Sequence, residues 1–350
     1  MDLHTTYLGL TLRSPLVPSA AAPLTSSLDH LRRLEDAGAG AIVLPSLFEE
    51  QLVQDSFELH HHLSHGRDSY PEALTYFPEP EAFRLGPEHY LDHIRTAKAA
   101  LSIPIIASLN GYSPGGWVEY ARSIQEAGAD AIELNLYFVP SDPNISGLDI
   151  EQSFLTTLRA VKAEVGIPVA VKISPYFSSL ANMAQRFDEA GADALVLFNR
   201  FMQPDIDPIE LEVRPVPYLS SANDLRLPLR WIALLYGRLE TDLAATGGVQ
   251  HGADVVKLLM AGAKITQVCS VLLRHGLEHL RVLERELVAW LEAQEYNSVE
   301  ELRGVMSQVH CPDPSAYERA QYLKTLQSFR VDAGHGLILD PPIHSGFLPS

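Results

Sequence analysis

The sequence predicts an α/β fold of the (β/α)8 TIM-barrel type, with long loops after strands two and six and extra helices at the C-terminal end. Three observations carry this expectation. A phrase in which a helix end meets a glycine and then an apolar run occurs four times, as Glu35–Leu44, Glu126–Asn135, Glu189–Leu197 and Met260–Ile265. Further apolar runs of strand length bring the count to about eight strands, with amphipathic stretches between them. The 350 residues suffice for one such barrel, which typically takes roughly 250.

In each copy of the phrase, the glycine past the helix end accepts the positive φ that other residues resist. The apolar run behind it has the length of a strand buried on both faces. Four such joints imply parallel strands linked by crossover helices, because hairpins join only antiparallel neighbours. A doubly wound open sheet is the rival arrangement.

The elements follow in order. Leu16 to Ala20 reads as the first strand, and the helix Leu28 to Ala37 leads into the first copy. After a helix over Pro87 to Leu101 and a third strand over Ile103 to Leu109, the helix Gly116 to Ala127 leads into the second. Ile150 to Val165, the fifth strand Ile167 to Ser174 and the helix Ser179 to Ala190 lead to the third. Leu225 to Gly237, a weak seventh strand Asp242 to Thr246 and Ala253 to Ala261 lead to the fourth, and Arg274 to Glu295 closes the series. The barrel is therefore expected over residues 1–310, with residues 311–350 as a C-terminal helix and tail. Ser298 to Met306 and Pro314 to Phe329 read as added helices, and the Pro- and Gly-rich stretch Val331 to Ser350 as an arm or a frayed end.

Two stretches exceed a minimal barrel: Phe48 to Gly86, rich in His, Pro, Glu and aromatics, and the proline-rich Arg200 to Asn223. Both leave the C-terminal ends of strands, the face on which barrels build their sites, so they read as lids or pocket walls. Their alternative is a surface excursion or a dimer contact, and a homodimer stays open.

Bulk properties exclude several classes. A hydrophobic fraction of 46% is ample for a large core. The net charge of -18 argues against nucleic-acid binding, since a polyanion would be repelled. No apolar run resembles a signal peptide or a membrane span. Two cysteines, Cys269 and Cys311, make neither a disulfide framework nor a zinc-ligand set, so no metal is expected and the compartment reads as the cytosol.

The chemistry is sought at strand ends. Strand seven is followed by Thr246-Gly247-Gly248-Val249 and strand eight by Cys269-Ser270, the two loops in which barrels commonly hold a phosphate. The alternative is a tight βα turn. Strand four ends in Asn135, strand five presents Lys172, and strand six ends in Asn199. Polar side chains at the ends of apolar strands are costly to bury without partners, and a bound polar ring with a phosphate tail would satisfy all three. Asn110, in Asn110-Gly111-Tyr112-Ser113 after strand three, is another candidate rim residue or the start of a helix.

These residues carry a resemblance. From about Leu10 to about Met306 the chain is similar to the dihydroorotate dehydrogenase family of FMN-dependent (β/α)8 enzymes. The matching pieces are Glu133-Leu134-Asn135-Leu136, Val171-Lys172-Ile173-Ser174-Pro175-Tyr176-Phe177, Asn199, Thr246-Gly247-Gly248-Val249, Gln267-Val268-Cys269-Ser270 and Tyr296-Asn297-Ser298. The resemblance implies FMN as cofactor. Ala20 and Ala21 would lie under the flavin ring, and Lys172 near its N1 and O2 edge. Gly247, Gly248, Cys269 and Ser270 would hold the phosphate, with Ser220 and Ser221 in a second phosphate-side turn. A lysine at that edge stabilises the charge that a reduced flavin accumulates.

Departures matter as much. Family members carry Cys or Ser as general base three residues after the strand-four asparagine, where this chain has Phe138, which cannot accept a proton. A family lysine near the end of strand two aligns with Pro45, beside a retained Ser46. The asparagine-rich substrate loop aligns with Phe77-Pro78-Glu79-Pro80-Glu81, and a further asparagine becomes Pro140. Replacement proton carriers are Tyr137, Ser141 and Asp142, or His60, His61, His62 and His65 in the excursion after strand two. Three functions stay open. The first is an FMN oxidoreductase acting on a CH–CH or C=C group of a small molecule other than dihydroorotate. The others are a dihydroorotate dehydrogenase of pyrimidine biosynthesis with a substituted base, and a flavin-binding subunit without turnover.

Overall fold

A computed structural model describes residues 1–52, 87–111, 115–215, 218–327, 329–332 and 336–339. Eight parallel strands form one sheet: β1 (Leu16–Pro18), β2 (Ile42–Phe48), β3 (Ile105–Asn110), β4 (Ala131–Asn135), β5 (Val169–Ile173), β6 (Ala194–Leu197), β7 (Asp242–Thr246) and β8 (Ile265–Val268). Their spatial order is 1-8-7-6-5-4-3-2, so every strand lies beside its sequence neighbour and the sheet is a barrel rather than the doubly wound alternative. The helices between them are α1 (Leu28–Asp36), α2 (Pro87–Ala100), α3 (Tyr120–Glu126), α4 (Gly147–Glu164), α5 (Leu180–Glu189), α6 (Arg226–Leu235), α7 (Gly252–Ala261) and α8 (His279–Ala293).

The repeated phrase does the same structural work in all four copies. Gly38, Gly128, Gly191 and Gly262 have positive φ, from 93 to 122°. Two residues on, the backbone N–H donates to the preceding strand: Gly40 to Leu16, Asp130 to Ile105, Asp193 to Val169 and Lys264 to Leu243. In two copies the aspartate adds a second bond. Asp130 Oδ2 accepts from Ile105 N at 2.7 Å and from Lys98 Nζ at 2.7 Å; Asp193 Oδ2 accepts from Val169 N at 2.7 Å and from Lys162 Nζ at 2.6 Å. The first copy cannot carry an aspartate. A Cβ at Gly40 would stand 2.0 Å from the Ser14 carbonyl oxygen, so glycine is what lets the two backbones meet where β1 and β2 close the barrel.

Side-chain alternation along the strands divides the core in two. One set packs outward against the helices. The other fills the barrel: Val17, Val43, Ile106, Val196 and Ile265 with the alanines 41, 131, 170, 194 and 244. Tyr7, Leu8 and Leu12 join this inner set from an antiparallel hairpin, Thr5–Tyr7 with Leu10–Leu12, which stops the N-terminal end of the barrel. Strands of three residues leave too little periodicity for the sequence to signal this hairpin.

Other differences are local. α4 starts at Gly147 rather than Ile150 because Ser146 and Asp149 form a reciprocal capping box. The predicted helix Arg274 to Glu295 is two helices, Ser270–His275 and α8, parted at Gly276 with φ 87°. The added helix at Ser298 shortens to Val299–Leu302, ended by Gly304 with φ 74°, where a Cβ would strike the Tyr236 ring at 2.3 Å. Pro314 to Phe329 resolves into a 3-10 turn, Pro314–Tyr317, and a helix, Arg319–Gln327. The stretch read as an arm contains part of a hairpin, Phe329–Asp332 with Gly336–Leu339. The excursion after β6 is not a plain loop but carries the hairpin Pro204–Asp207 with Glu212–Pro215. Most of the excursion after β2, with His60, His61, His62, His65 and residues 77–81, lies outside the described residues.

Gly40→Ala should lower stability by about 2 kcal/mol, the usual scale of a side chain forced into occupied space. Urea unfolding followed by circular dichroism checks this: the expected outcome is a lower midpoint at unchanged slope.

Candidate active site

At the C-terminal ends of the strands the barrel opens into a cleft of about 760 Å³. Strand parity places its floor. Inward positions two residues beyond the apolar layer are Ser19 on the β1 side, Ser108 on β3, Glu133 on β4, Lys172 on β5 and Gln267 on β8. Two residues further out come Asn110 and Asn135, so the inner wall turns polar in the direction of the opening.

The floor is a closed circuit. Lys172 Nζ donates to Glu133 Oε1 at 3.0 Å, to Gln267 Oε1 at 3.2 Å and to Ser19 Oγ at 3.3 Å. Ser19 Oγ donates to Gln267 Oε1 at 3.1 Å, and Gln267 Nε2 donates to Glu133 Oε2. Lys172 is 6% exposed and Glu133 1% exposed, so each charge depends on the other and on the amide between them. Below this layer the Tyr7 hydroxyl is buried without a hydrogen-bond partner among the described residues. Burial first, and then the nearby Glu133 and Asp242 carboxylates, push its pKa well above the ordinary phenol value.

Above the floor, Asn199 Nδ2 donates to Asn135 Oδ1, joining the ends of β4 and β6 over the backbone of β5. Ser46 Oγ and Ser108 Oγ share a hydrogen bond of 2.8 Å between β2 and β3. At one end of the cleft, Gly247 and Gly248 take φ of 98 and 82°. A Cβ at Gly248 would lie 2.2 Å from Leu225 N, so the turn packs directly on the segment entering α6. Gly248 N donates to Ser220 Oγ at 3.2 Å and Ser220 N to Ser270 Oγ at 3.0 Å. Arg274 Nη1 fixes the same turn by donating to Ser220 O and Gln250 Oε1, both at 2.8 Å. The backbone N–H groups of Gly247, Cys269 and Ser270 take no acceptor among the described residues. Burial raises the Cys269 thiol pKa against the opposing pull of Lys172.

The other wall is aromatic. Tyr137 and Phe201 rings lie 5.1 Å apart, and Tyr176 meets Phe201 edge-on at 5.0 Å. Arg200 lies over the Tyr218 ring at 4.3 Å and pairs with Asp224 at 3.1 Å. Burial of Asp224 works to raise its pKa, but hydrogen bonds from Ser221 and the charge of Arg200 outweigh it and hold the carboxyl low.

The residues singled out by sequence are thus largely in one place. Ala20, Ala21, Ser46, Asn110, Asn135, Tyr137, Lys172, Asn199, Gly247, Gly248, Cys269 and Ser270 all line the cleft. Ser221 does not. It is exposed and caps the turn Ala222–Leu225 with Asp224, while its neighbour Ser220 reaches the cleft. Phe138 packs on the core, Pro45 is buried in β2, and Ser141 and Asp142 are exposed outside the cleft lining. Glu133 and Gln267 were missed as site residues although both stand in quoted motifs. Counting alternate residues inward from Ala131 and Ile265 would have found them. Among the described residues no group of three His, Cys, Asp or Glu side chains is placed to hold a metal, and no helix is long and apolar enough to cross a membrane.

Comparison with known proteins agrees with this geometry. Residues 84–291 match the family model described as dihydroorotate dehydrogenase. A relative from Methanothermobacter thermautotrophicus, named dihydroorotate dehydrogenase B (NAD(+)), catalytic subunit, is 29% identical over 322 residues, covering 87% of this chain and 98% of its own. A protein of the same name from Methanocella arvoryzae is 30% identical over 274 residues, 75% of this chain and 84% of its own. A third, from Thermoplasma volcanium, is 27% identical over 316 residues, 87% and 98%. Since the family model matches more than half of the chain and the fold is a (β/α)8 barrel, the chain belongs to the dihydroorotate dehydrogenase family and is an oxidoreductase.

Proposed function

We propose that the chain is an FMN-dependent oxidoreductase that acts on a CH–CH or C=C group of a small substrate other than dihydroorotate. The observation that carries the cofactor is the donor set of the cleft. Gly247, Cys269 and Ser270 offer backbone N–H groups that take no acceptor among the described residues, as an anionic tail requires, and the Lys172 ammonium faces a ring-sized space between the strand-end amides. FMN, when bound, supplies hydride exchange at its N5. The protein's part is to hold the ring edge with a fixed positive charge at Lys172, to orient it with Asn135 and Asn199, and to exclude water with the aromatic wall.

Substrate choice follows from what borders that space. Phe138 packs on the core instead of supplying a base, and Tyr137, Phe201 and Tyr176 form an aromatic wall. Such a wall favours a planar, weakly polar unsaturated molecule. The Tyr137 hydroxyl is the proton-carrying group on this wall that stands next to the strand-four asparagine, and we assign it the proton donor's place. The names of the relatives favour a second reading, dihydroorotate oxidation with a substituted base.

Purified protein should be yellow and release FMN on denaturation, and a colourless protein that cannot be reconstituted with FMN would refute the cofactor. Under anaerobic conditions dihydroorotate should leave the flavin oxidised, whereas rapid bleaching favours the second reading. Lys172→Ala should slow flavin reduction about 100-fold while changing FMN retention far less; stopped-flow absorbance and ultrafiltration measure the two. Iodoacetamide should label Cys269 slowly at pH 7, because its raised pKa keeps the thiol neutral there. Labelling should accelerate only as pH rises past the ordinary thiol range, and added FMN should suppress it, as read by peptide mass spectrometry.

A further inference from the structure

We infer that Glu133 and Gln267 are positioning residues: with Ser19 they form a cradle of fixed hydrogen-bond polarity that pins the Lys172 ammonium at the floor of the cleft. Its purpose, presenting one steady positive charge to the cofactor's anionic edge, rests on the flavin reading above. The cradle itself rests on geometry alone.

Each bond of the circuit has one permitted direction. An ammonium has three donors and no acceptor, and Lys172 aims at three oxygens at 3.0, 3.2 and 3.3 Å. Gln267 must turn its carbonyl oxygen to Lys172 and Ser19, which leaves its amide nitrogen for Glu133. Glu133 then receives one donor on each oxygen and has to be an acceptor at both, which a carboxylate is and an amide is not. The site is too dry for water to repair a mismatch: Glu133 and Gln267 are each 1% exposed and Ser19 4%.

Glu133→Gln therefore frustrates the circuit whichever way the two amides turn. If Gln267 keeps its orientation, the new amide meets either Lys172 or Gln267 donor to donor. If Gln267 flips, its own nitrogen faces the ammonium. Exchanging the two residues, Glu133→Gln together with Gln267→Glu, restores every bond. The carboxylate then stands on β8 and accepts from Lys172, Ser19 and the new amide.

Acylation of Lys172 by acetic anhydride in the flavin-free protein, followed by peptide mass spectrometry, reads the pinning directly. The expected result is labelling roughly tenfold faster in Glu133→Gln than in the wild type, with the exchanged double variant back near the wild-type rate. Equal rates in all three proteins, or a double variant as reactive as the single, overturn the cradle. If Glu133→Gln does not fold, Ser19→Ala removes the longest of the three contacts, and its labelling should rise roughly threefold; an unchanged rate overturns the cradle as well.

A second arm measures affinity for reduced against oxidised FMN. The preference for the reduced form should fall about tenfold in Glu133→Gln and return in the exchanged variant. A preference unchanged or increased in Glu133→Gln overturns the positioning role, since the carboxylate would then only offset the lysine's charge. Failure of the wild type to take up FMN would sink the flavin reading, while the acylation pattern would still decide the cradle.

Discussion

The ion pair between Lys172 and Glu133 is the constraint around which the rest of the molecule is arranged. Two opposite charges sit where the apolar filling of a closed barrel ends, almost wholly removed from water. Desolvating them costs several kcal/mol each, and the pair persists because the remaining donors and acceptors are met by Gln267 and Ser19. Below the pair the barrel is filled by apolar side chains, five alanines among them, and the N-terminal hairpin stops it, bringing the Tyr7 hydroxyl with it. Above it the barrel opens into a cleft with polar strand ends on one side and an aromatic wall on the other.

That arrangement depends on the barrel closing in one register. The four copies of the helix–glycine–strand phrase set it by handing a backbone N–H to the preceding strand each time. Asp130 and Asp193 strengthen the joint with a carboxylate that bonds both the neighbouring strand and a lysine of the helix before it. The first copy gives up this device, because β1 and β2 approach so closely that a side chain at residue 40 would overlap Ser14. A slip of one residue at any joint would turn the inward set outward, and Glu133, Lys172 and Gln267 would lose one another.

The chain belongs to the dihydroorotate dehydrogenase family, and its cleft has two distinct parts. The floor and the glycine turn are polar, while the wall after β4, β5 and β6 is aromatic. Phe138, three residues after Asn135, is half-buried and packs against the core, so it offers the cleft no proton acceptor.

The sequence by itself determined the architecture and the rim. Gly38, Gly128, Gly191 and Gly262 announced the helix ends, and the apolar runs behind them announced buried parallel strands, because backbone conformation and burial are local demands that leave local patterns. Asn135, Lys172, Asn199 and Gly247-Gly248 were legible for the same reason, as polar or glycine residues where apolar strands stop. What only the tertiary structure decided is which of these residues meet. Glu133 stands on the strand next to that of Lys172, whereas Gln267, 134 positions from Glu133 in the chain, reaches both across the barrel interior from β8. Phe138 packs against the helix-side core and Ser221 turns to Asp224, choices made by packing and capping that no run of residue types records. A closed sheet converts distant positions of equal parity into neighbours, and that step is a property of the three-dimensional register.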